Sequence, residues 1–285
     1  MLLFLVMLTF TLLIALGSLL AGFIGALTGL GGGIVIVPML TILFHVNIRY
    51  AIGASLVSVI ATSSGAASAY VKEGYTNMRI GMFLEIATTV GALVGAFLAM
   101  YIGTNVIAIL FGIVLLYSSW QTMNPRPALQ PGVDKPNRIA EMLRMGSTYP
   151  TPDGPQAYIV QGVPQGFSMM FGAGVLSALL GIGSGAVKVI AMDQAMRIPF
   201  KVSTTTSNFM IGVTAAASAG VYLHRGYIDP ALAMPVMLGV LIGSLTGARI
   251  LPHTKTKKLR MIFAVVLVVL AVEMLYHGVF GGQIG

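Results

Sequence analysis

The sequence predicts an all-α polytopic membrane protein built from two repeats of five apolar segments each. Of its 285 residues, 56% are hydrophobic and 8% are charged, whereas an ordinary soluble domain has roughly 45–50% and about 25%. Apolar stretches recur along the chain, and the second half resembles the first at a constant offset of 152 residues. This composition argues against a water-soluble enzyme.

The apolar segments predict ten helices, at residues 2–30, 34–44, 51–71, 80–102, 106–120, 159–180, 186–196, 203–223, 230–251 and 259–280. The second and seventh segments are too short to cross a hydrocarbon core of about 30 Å at 1.5 Å per residue. They are therefore predicted as half-helices or re-entrant arms that follow glycine-rich breaks. The first segment lacks the basic start of a signal peptide, so we expect it to remain in the mature protein.

A polar stretch at residues 122–157 separates the two sets of five segments. It carries seven of the 13 prolines, a density that favours an aqueous connector with one short surface helix within 139–145 and no further regular structure. The predicted organisation is an N-terminal repeat (1–121), the connector (122–157) and a C-terminal repeat (158–285).

The internal repeat is carried by two glycine clusters. The offset of 152 aligns Gly29-Leu-Gly-Gly-Gly33 with Gly181-Ile-Gly-Ser-Gly185, and residues 21–97 share 20 identities in 77 positions with residues 173–249. Because each half has an odd number of segments, the second half is predicted to enter the membrane from the opposite side. Inverted repeats with a broken helix in each half are typical of secondary transporters.

The loop charges give the orientation. Apart from Lys188, which lies inside a segment, thirteen basic residues fall on one predicted side and only Arg49 and Arg225 on the other. The positive-inside rule places the connector in the cytoplasm and both termini outside, in a bacterial-type cytoplasmic membrane. The lipid bilayer is then the expected partner, and nucleic acid is a poor explanation of the net charge of +8.

The glycine clusters are the first candidate binding site. Each precedes a short helix, whose unpaired N–H groups and positive end attract anions, and glycine lets the backbone approach a ligand closely. The alternative is that these glycines only permit tight helix crossing. The candidate anion-binding residues of this kind are Gly31, Gly32, Gly33, Gly183, Ser184 and Gly185.

Polar side chains near these clusters extend the candidate site. Lys188 is costly inside a membrane, so it faces either an anion or a structural partner, Asp193 or Glu85. Hydroxyl and amide groups that suit a multi-oxygen anion are Ser55, Thr206, Ser207 and Asn208, although Ser and Thr also bond within their own helices.

The remaining polar residues bear on proton coupling and metal binding. The acidic residues inside segments, which suit proton coupling, are Glu85, Asp193 and Glu273, and snorkelling to the interface is the alternative for Glu85 and Glu273. The histidines lack metal-ligand spacing and the chain has no cysteine, so no metal or cofactor is expected.

The motifs Gly-Leu-Gly-Gly-Gly-x4-Pro38 with Ala51-x-Gly-Ala-Ser55, and Gly-Ile-Gly-Ser-Gly185 with a hydroxyl run ending at Ser207, resemble the TauE/SafE sulfite exporter family. One departure is Ile190 in the place of Pro38. The resemblance implies transport of sulfite, sulfonates or related small anions, driven by a gradient of H⁺ or Na⁺. A passive anion channel and a carboxylate transporter remain alternatives, while a membrane-embedded enzyme lacks a clustered catalytic constellation. The oligomeric state is left open.

Overall fold

The computed structural model describes residues 2–28, 33–72, 74–123, 138–151, 154–250 and 256–280. This part of the chain contains eleven helices and one two-stranded hairpin: α1 (Leu2–Thr28), α2 (Gly33–Pro38), α3 (Ile48–Lys72), α4 (Met78–Tyr101), α5 (Thr104–Met123), α6 (Arg138–Met142), β1 (Ser147–Thr151), β2 (Gly154–Tyr158), α7 (Val163–Leu180), α8 (Gly185–Ile190), α9 (Phe200–His224), α10 (Pro230–Ile250) and α11 (Thr256–Phe280). Each of the ten predicted apolar segments is helical, and the all-α class is confirmed.

The two short segments have the same unusual shape. α2 continues into a π-helical turn at Met39–Leu43, and α8 continues into one at Ala191–Ala195. Pro38 stands at the first junction and Ile190 at the second, so the π-helical turn forms with or without proline. The departure from the family motif at Ile190 therefore leaves the local backbone unchanged.

The offset of 152 residues is visible in the backbone. Adding 152 to the bounds of α2 gives those of α8, and adding it to the bounds of α3 gives those of α9. The residues that end the short segments, His45 and Arg197, also correspond, and both have the left-handed φ of 52°. The opposite orientation of the two halves in a membrane stays a prediction.

Each long helix of one half packs on a long helix of the other half. α1 packs on α10 and α4 packs on α7, while α3 packs on α9 and α5 packs on α11. Glycines make the closest contacts: a Cβ on Gly91 would collide with the carbonyl oxygen of Phe171, and a Cβ on Gly243 would collide with that of Leu19. These two contacts are equivalent under the offset, since Gly91 corresponds to Gly243 and Leu19 to Phe171.

The outer surface is apolar where a bilayer would cover it. On α4 the exposed side chains recur at helical spacing as Met82, Ile86, Val90, Leu93 and Phe97, a stripe that in water would expose a large hydrophobic patch. Within the described residues, four stretches are long and apolar enough to cross a membrane by themselves: Met78–Tyr101, Thr104–Gln121, Val163–Leu180 and Pro230–Gly247. The chain is an integral membrane protein.

The connector is more ordered than the sequence predicts. The expected short helix is α6, but β1 and β2 form an antiparallel hairpin with Ser147 opposite Tyr158, and the prediction of no further regular structure was wrong. Pro150 lies opposite Pro155, and a two-stranded hairpin consists of edge strands, where proline is tolerated. Met145 and Tyr158 are buried in one hydrophobic cluster with residues of α4, α7 and α9. Residues 124–137 of the connector lie outside the described part.

Candidate site between the two broken helices

The glycine clusters of the two halves meet at the contact between α3 and α9. A Cβ on Gly33 would lie 3.2 Å from the carbonyl oxygen of Gly181, and a Cβ on Gly183 would lie 3.3 Å from Cγ1 of Val59 on α3. The turn before α8 therefore packs on the first half of the chain. Gly33 lies beside Gly181 and Gly183 beside Val59, and Gly185 lies beside Ser207 and Ile211 of α9, whereas Gly31 and Gly32 lie outside the described residues.

Two equivalent serines hold the glycine turns. Ser55 donates a hydrogen bond of 2.7 Å to the carbonyl oxygen of Gly181, and a longer one of 3.4 Å reaches the carbonyl oxygen of Gly33. Ser207, which corresponds to Ser55, donates to the carbonyl oxygen of Gly185 over 3.3 Å. Each hydroxyl thus connects a long helix to the start of a short one. In this structure both serines bind the backbone carbonyls of the turns.

Ser184 combines backbone strain with an unused hydroxyl. It precedes α8 with φ 45° and ψ 28°, the left-handed region that L-residues other than glycine, asparagine and aspartate seldom adopt. Its side chain is 3% exposed, and Oγ has no hydrogen-bond partner. Buried polar atoms are normally paired, so this hydroxyl has an unused donor.

A buried charged network lies beside this turn. Lys188 on α8 is fully buried, and its Nζ donates to Oγ1 of Thr214 on α9 over 2.6 Å. Thr214 Oγ1 lies 2.7 Å from Oε1 of Glu85 on α4, to which it donates. Lys188 and Glu85 therefore share one hydroxyl, which links the short helix of the second half to a long helix of the first.

Four other candidate residues are not joined to this network. Asp193 lies on the π-helical turn, buried, with Oδ1 unpaired, and Asn208 is half-buried. Thr206 Oγ1 accepts a hydrogen bond from the backbone N–H of Asn77, so it faces the start of α4. Glu273 is about half exposed and lies 4.0 Å from His277.

Thr214 is a site residue that the sequence reasoning did not select. It corresponds to Thr62, and this identity between the halves was the only signal that marked it. A threonine inside an apolar helix usually donates to its own backbone, and Thr214 is also 2.9 Å from the carbonyl oxygen of Met210. Only the fold shows that it also lies between Lys188 and Glu85.

A cation and a tyrosine from opposite halves lie at each end of the α3–α9 contact. The guanidinium of Arg49 is 5.7 Å from the ring centre of Tyr227, and the ammonium of Lys201 is 5.6 Å from that of Tyr75. The two pairs are equivalent under the offset. Arg49 also donates to the carbonyl oxygens of Met100 and Ile102, which ties α3 to the end of α4.

The connector is anchored at the start of α4 by Asn77. The Asn77 side chain accepts from the N–H groups of Arg79 and Ile80 and so caps the helix. Its amide donates to the hydroxyl of Tyr158 over 2.6 Å and to the carbonyl oxygen of Met145. Burial raises the pKa of the Tyr158 hydroxyl, which keeps it protonated. The hairpin is thus attached where α4 meets the first turns of α9.

Known membrane transporter proteins are similar to this chain in sequence. The family model "Sulfite exporter TauE/SafE" matches residues 14–274. The chain is 31% identical to the probable membrane transporter protein YunE of Bacillus subtilis, covering 95% of this chain and 99% of that protein. It is 28% identical to the probable membrane transporter protein YdhB of the same organism, covering 83% and 89%. A probable membrane transporter protein of Methanocaldococcus jannaschii is 26% identical over 93% and 94%. No solved structure matches the chain. The chain is a membrane transporter and belongs to the TauE/SafE sulfite exporter family.

Proposed function

We propose that the protein is a secondary transporter of small sulfur-containing oxyanions, such as sulfite and organosulfonates, driven by an ion gradient. The observation that carries this proposal is the meeting of the two glycine turns, one from each half, around buried hydroxyls with a buried cation one turn away. Backbone N–H groups in the first turn of a helix have no partner within the helix, and an oxyanion satisfies several of them at once.

The proposed binding groups are the residues described at this meeting point and a wider set suggested by the sequence. Ser184 supplies an unpaired hydroxyl, Lys188 supplies the positive charge, and Ser55 and Ser207 position the turns. The wider set keeps the residues suggested by the sequence: Gly31, Gly32, Gly33, Gly183, Gly185, Thr206 and Asn208. Several donors with a single cation suit a compact anion with three or more oxygens, and the family is named for sulfite export.

Transport by this site requires that it open to each side of the membrane in turn. The equivalent Arg49–Tyr227 and Lys201–Tyr75 pairs lie at the two ends of the α3–α9 contact, where such openings belong. We propose an orientation in the cytoplasmic membrane with both termini outside. In intact cells, an impermeant thiol reagent is expected to label Arg225→Cys and not Met142→Cys in the connector; the opposite pattern would reverse the topology.

The test is uptake of radiolabelled sulfite into proteoliposomes that contain the purified protein. We expect saturable uptake that unlabelled sulfonates inhibit and acetate does not, together with counterflow against a preloaded substrate, which a channel does not give. Lys188→Met is expected to reduce uptake at least tenfold, because it removes the positive charge of the proposed site. The variant is expected to fold, since its repeat mate Ile36 shows that an apolar side chain fits there.

The control is Arg225→Ala, which removes an exposed cation and is expected to retain uptake. Inhibition by acetate as strong as that by sulfonates would indicate that the substrates are small carboxylates. Uptake without counterflow would indicate a channel.

A further inference from the structure

The pairing of Lys188 with Glu85 breaks the internal repeat. Lys188 corresponds to Ile36 and Glu85 corresponds to Met237, while Thr214 between them corresponds to Thr62. The repeat thus preserves the hydroxyl, while the two charges occur around Thr214 and not at the positions equivalent to them. Tight packing of α4, α8 and α9 does not require these charges, since the equivalent residues, Ile36 and Met237, are apolar.

The carboxylate of Glu85 has one well-bound oxygen and one bare oxygen. Oε1 accepts from Thr214 over 2.7 Å and from Thr89 over 3.2 Å. Oε2 is buried and has no hydrogen-bond partner. A permanently charged buried carboxylate needs donors on both oxygens. Oε2 is therefore the carboxylate oxygen that is free to bind a proton.

The charges in this network balance only as long as Lys188 and Glu85 stay together. An anion that binds Lys188 takes away the positive charge that offsets Glu85, and a buried unpaired carboxylate is far costlier than a buried carboxylic acid. The remaining neighbours, Thr214, Thr88 and Thr89, supply hydroxyls and no charge. Anion binding and protonation are therefore tied to the same buried network.

We propose that Glu85 takes up one proton from the solvent at Oε2 each time Lys188 engages a substrate anion, so that the anion and one proton bind and cross the membrane together. This inference rests on the proposed function and names its coupling ion as H⁺. No bond other than the O–H bond forms, and the proton is released when the anion leaves and Lys188 returns to Thr214.

Within the described residues, the other ionisable groups of the surrounding helices make no hydrogen bond to this network. α7 carries none, and α9 has Lys201 and His224 at its two ends, about 20 Å and 15 Å from Thr214 by helix rise. Tyr222 donates to the carbonyl oxygen of Ala178. Arg79 on α4 donates to the carbonyl oxygen of Arg144 in the connector, and Asp193 follows α8 on its π-helical turn.

The test is titration calorimetry of the full-length protein with sulfate and with methanesulfonate, in buffers of different ionisation enthalpy. Both anions keep their charge between about pH 5.5 and 8, where an isolated carboxyl has already ionised. We expect uptake of about one proton per anion and an affinity that tightens about tenfold for each unit of decreasing pH. In Glu85→Gln, which carries the neutral form permanently, we expect tight binding at every pH and no proton uptake.

The matched control is Glu141→Gln, the same change at an exposed position of α6, which is expected to keep the wild-type pH dependence. If Glu85→Gln does not fold, Glu85→Met replaces it, because Met237 shows that methionine fits the equivalent place. Wild-type pH dependence in the Glu85 variants, or wild-type binding without proton uptake, would overturn the coupling. If neither anion binds, the result would instead contradict the proposed function, and the coupling that rests on it.

Discussion

Ser184 combines a strained backbone with an unpaired hydroxyl. The equivalent residue of the first half is glycine, which adopts left-handed φ values without strain. A left-handed conformation costs an L-residue with a Cβ about 1–2 kcal/mol, and glycine nothing. Strain of this kind is found at functional sites. The second half therefore keeps a side chain at a cost in stability, and the hydroxyl is the only polar group that the serine adds.

This comparison predicts opposite effects of Ser184→Gly on stability and on binding. The free energy of unfolding is expected to rise by up to about 1 kcal/mol as the strain is released, while sulfite affinity falls several-fold as a donor is lost. Thermal unfolding and equilibrium binding on the same detergent-purified sample measure both.

His45→Gly is the control, since it relieves a similar left-handed φ, 52° at His45 against 45° at Ser184, at an exposed residue. It is expected to leave the affinity unchanged. Native affinity in Ser184→Gly would exclude the hydroxyl from the site.

Single residues were predictable from the sequence where their chemistry is unusual for their surroundings. Lys188 and Glu85 stand out as charges within apolar runs, and Gly33 stands out within a motif. Thr214 does not stand out, because a threonine in a membrane helix has an ordinary local use. Its role depends on a contact between residues 129 positions apart in the chain, which no local pattern reports.

Close glycine contacts join the long helices. Gly91 lies against the Phe171 carbonyl, and Gly243 lies against that of Leu19. Without a hydrophobic driving force between helices in lipid, such backbone approach is a main source of helix association. A methyl group at either position meets backbone, which has less freedom to move aside than a side chain.

Gly91→Ala and Gly243→Ala are each expected to lower the free energy of unfolding by about 1–3 kcal/mol, the usual range for overpacking. The loss would be seen as a lower midpoint of thermal unfolding in detergent. Gly172→Ala on α7 is the matched control, since nothing lies within 4 Å of the added Cβ, and it should be neutral or stabilising. Equal midpoints for all three variants would contradict the packing described for α4, α7, α1 and α10.

Helices were predictable at this scale because long apolar runs have no other stable form in lipid. The hairpin β1–β2 was not, because its prolines argue against a strand in general. They are tolerated here since both strands are edges and lack of an N–H costs little at an unpaired position. The π-helical turns after α2 and α8 also had no sequence signal, as one of them forms without proline.

At the scale of the whole molecule, the offset of 152 residues accounts for the matching bounds of α2 with α8 and α3 with α9, the packing partners, and the cation–tyrosine pairs at both ends of the α3–α9 contact. It was predictable because the repeat left identities at glycines and serines. The asymmetry of the centre is a separate property, since Lys188, Glu85 and Ser184 each replace an uncharged or smaller mate. Two nearly equivalent halves thus enclose a candidate site whose residues are not related by the repeat.

The central claim is that both glycine turns form one anion site, and equilibrium binding of radiolabelled sulfite to monodisperse protein tests it most directly. We expect one anion per chain, and Gly33→Val and Gly185→Val are each expected to abolish binding, because either side chain obstructs the same site. Two anions per chain, loss of only half the capacity in each variant, or native affinity in folded valine variants would contradict a single shared site.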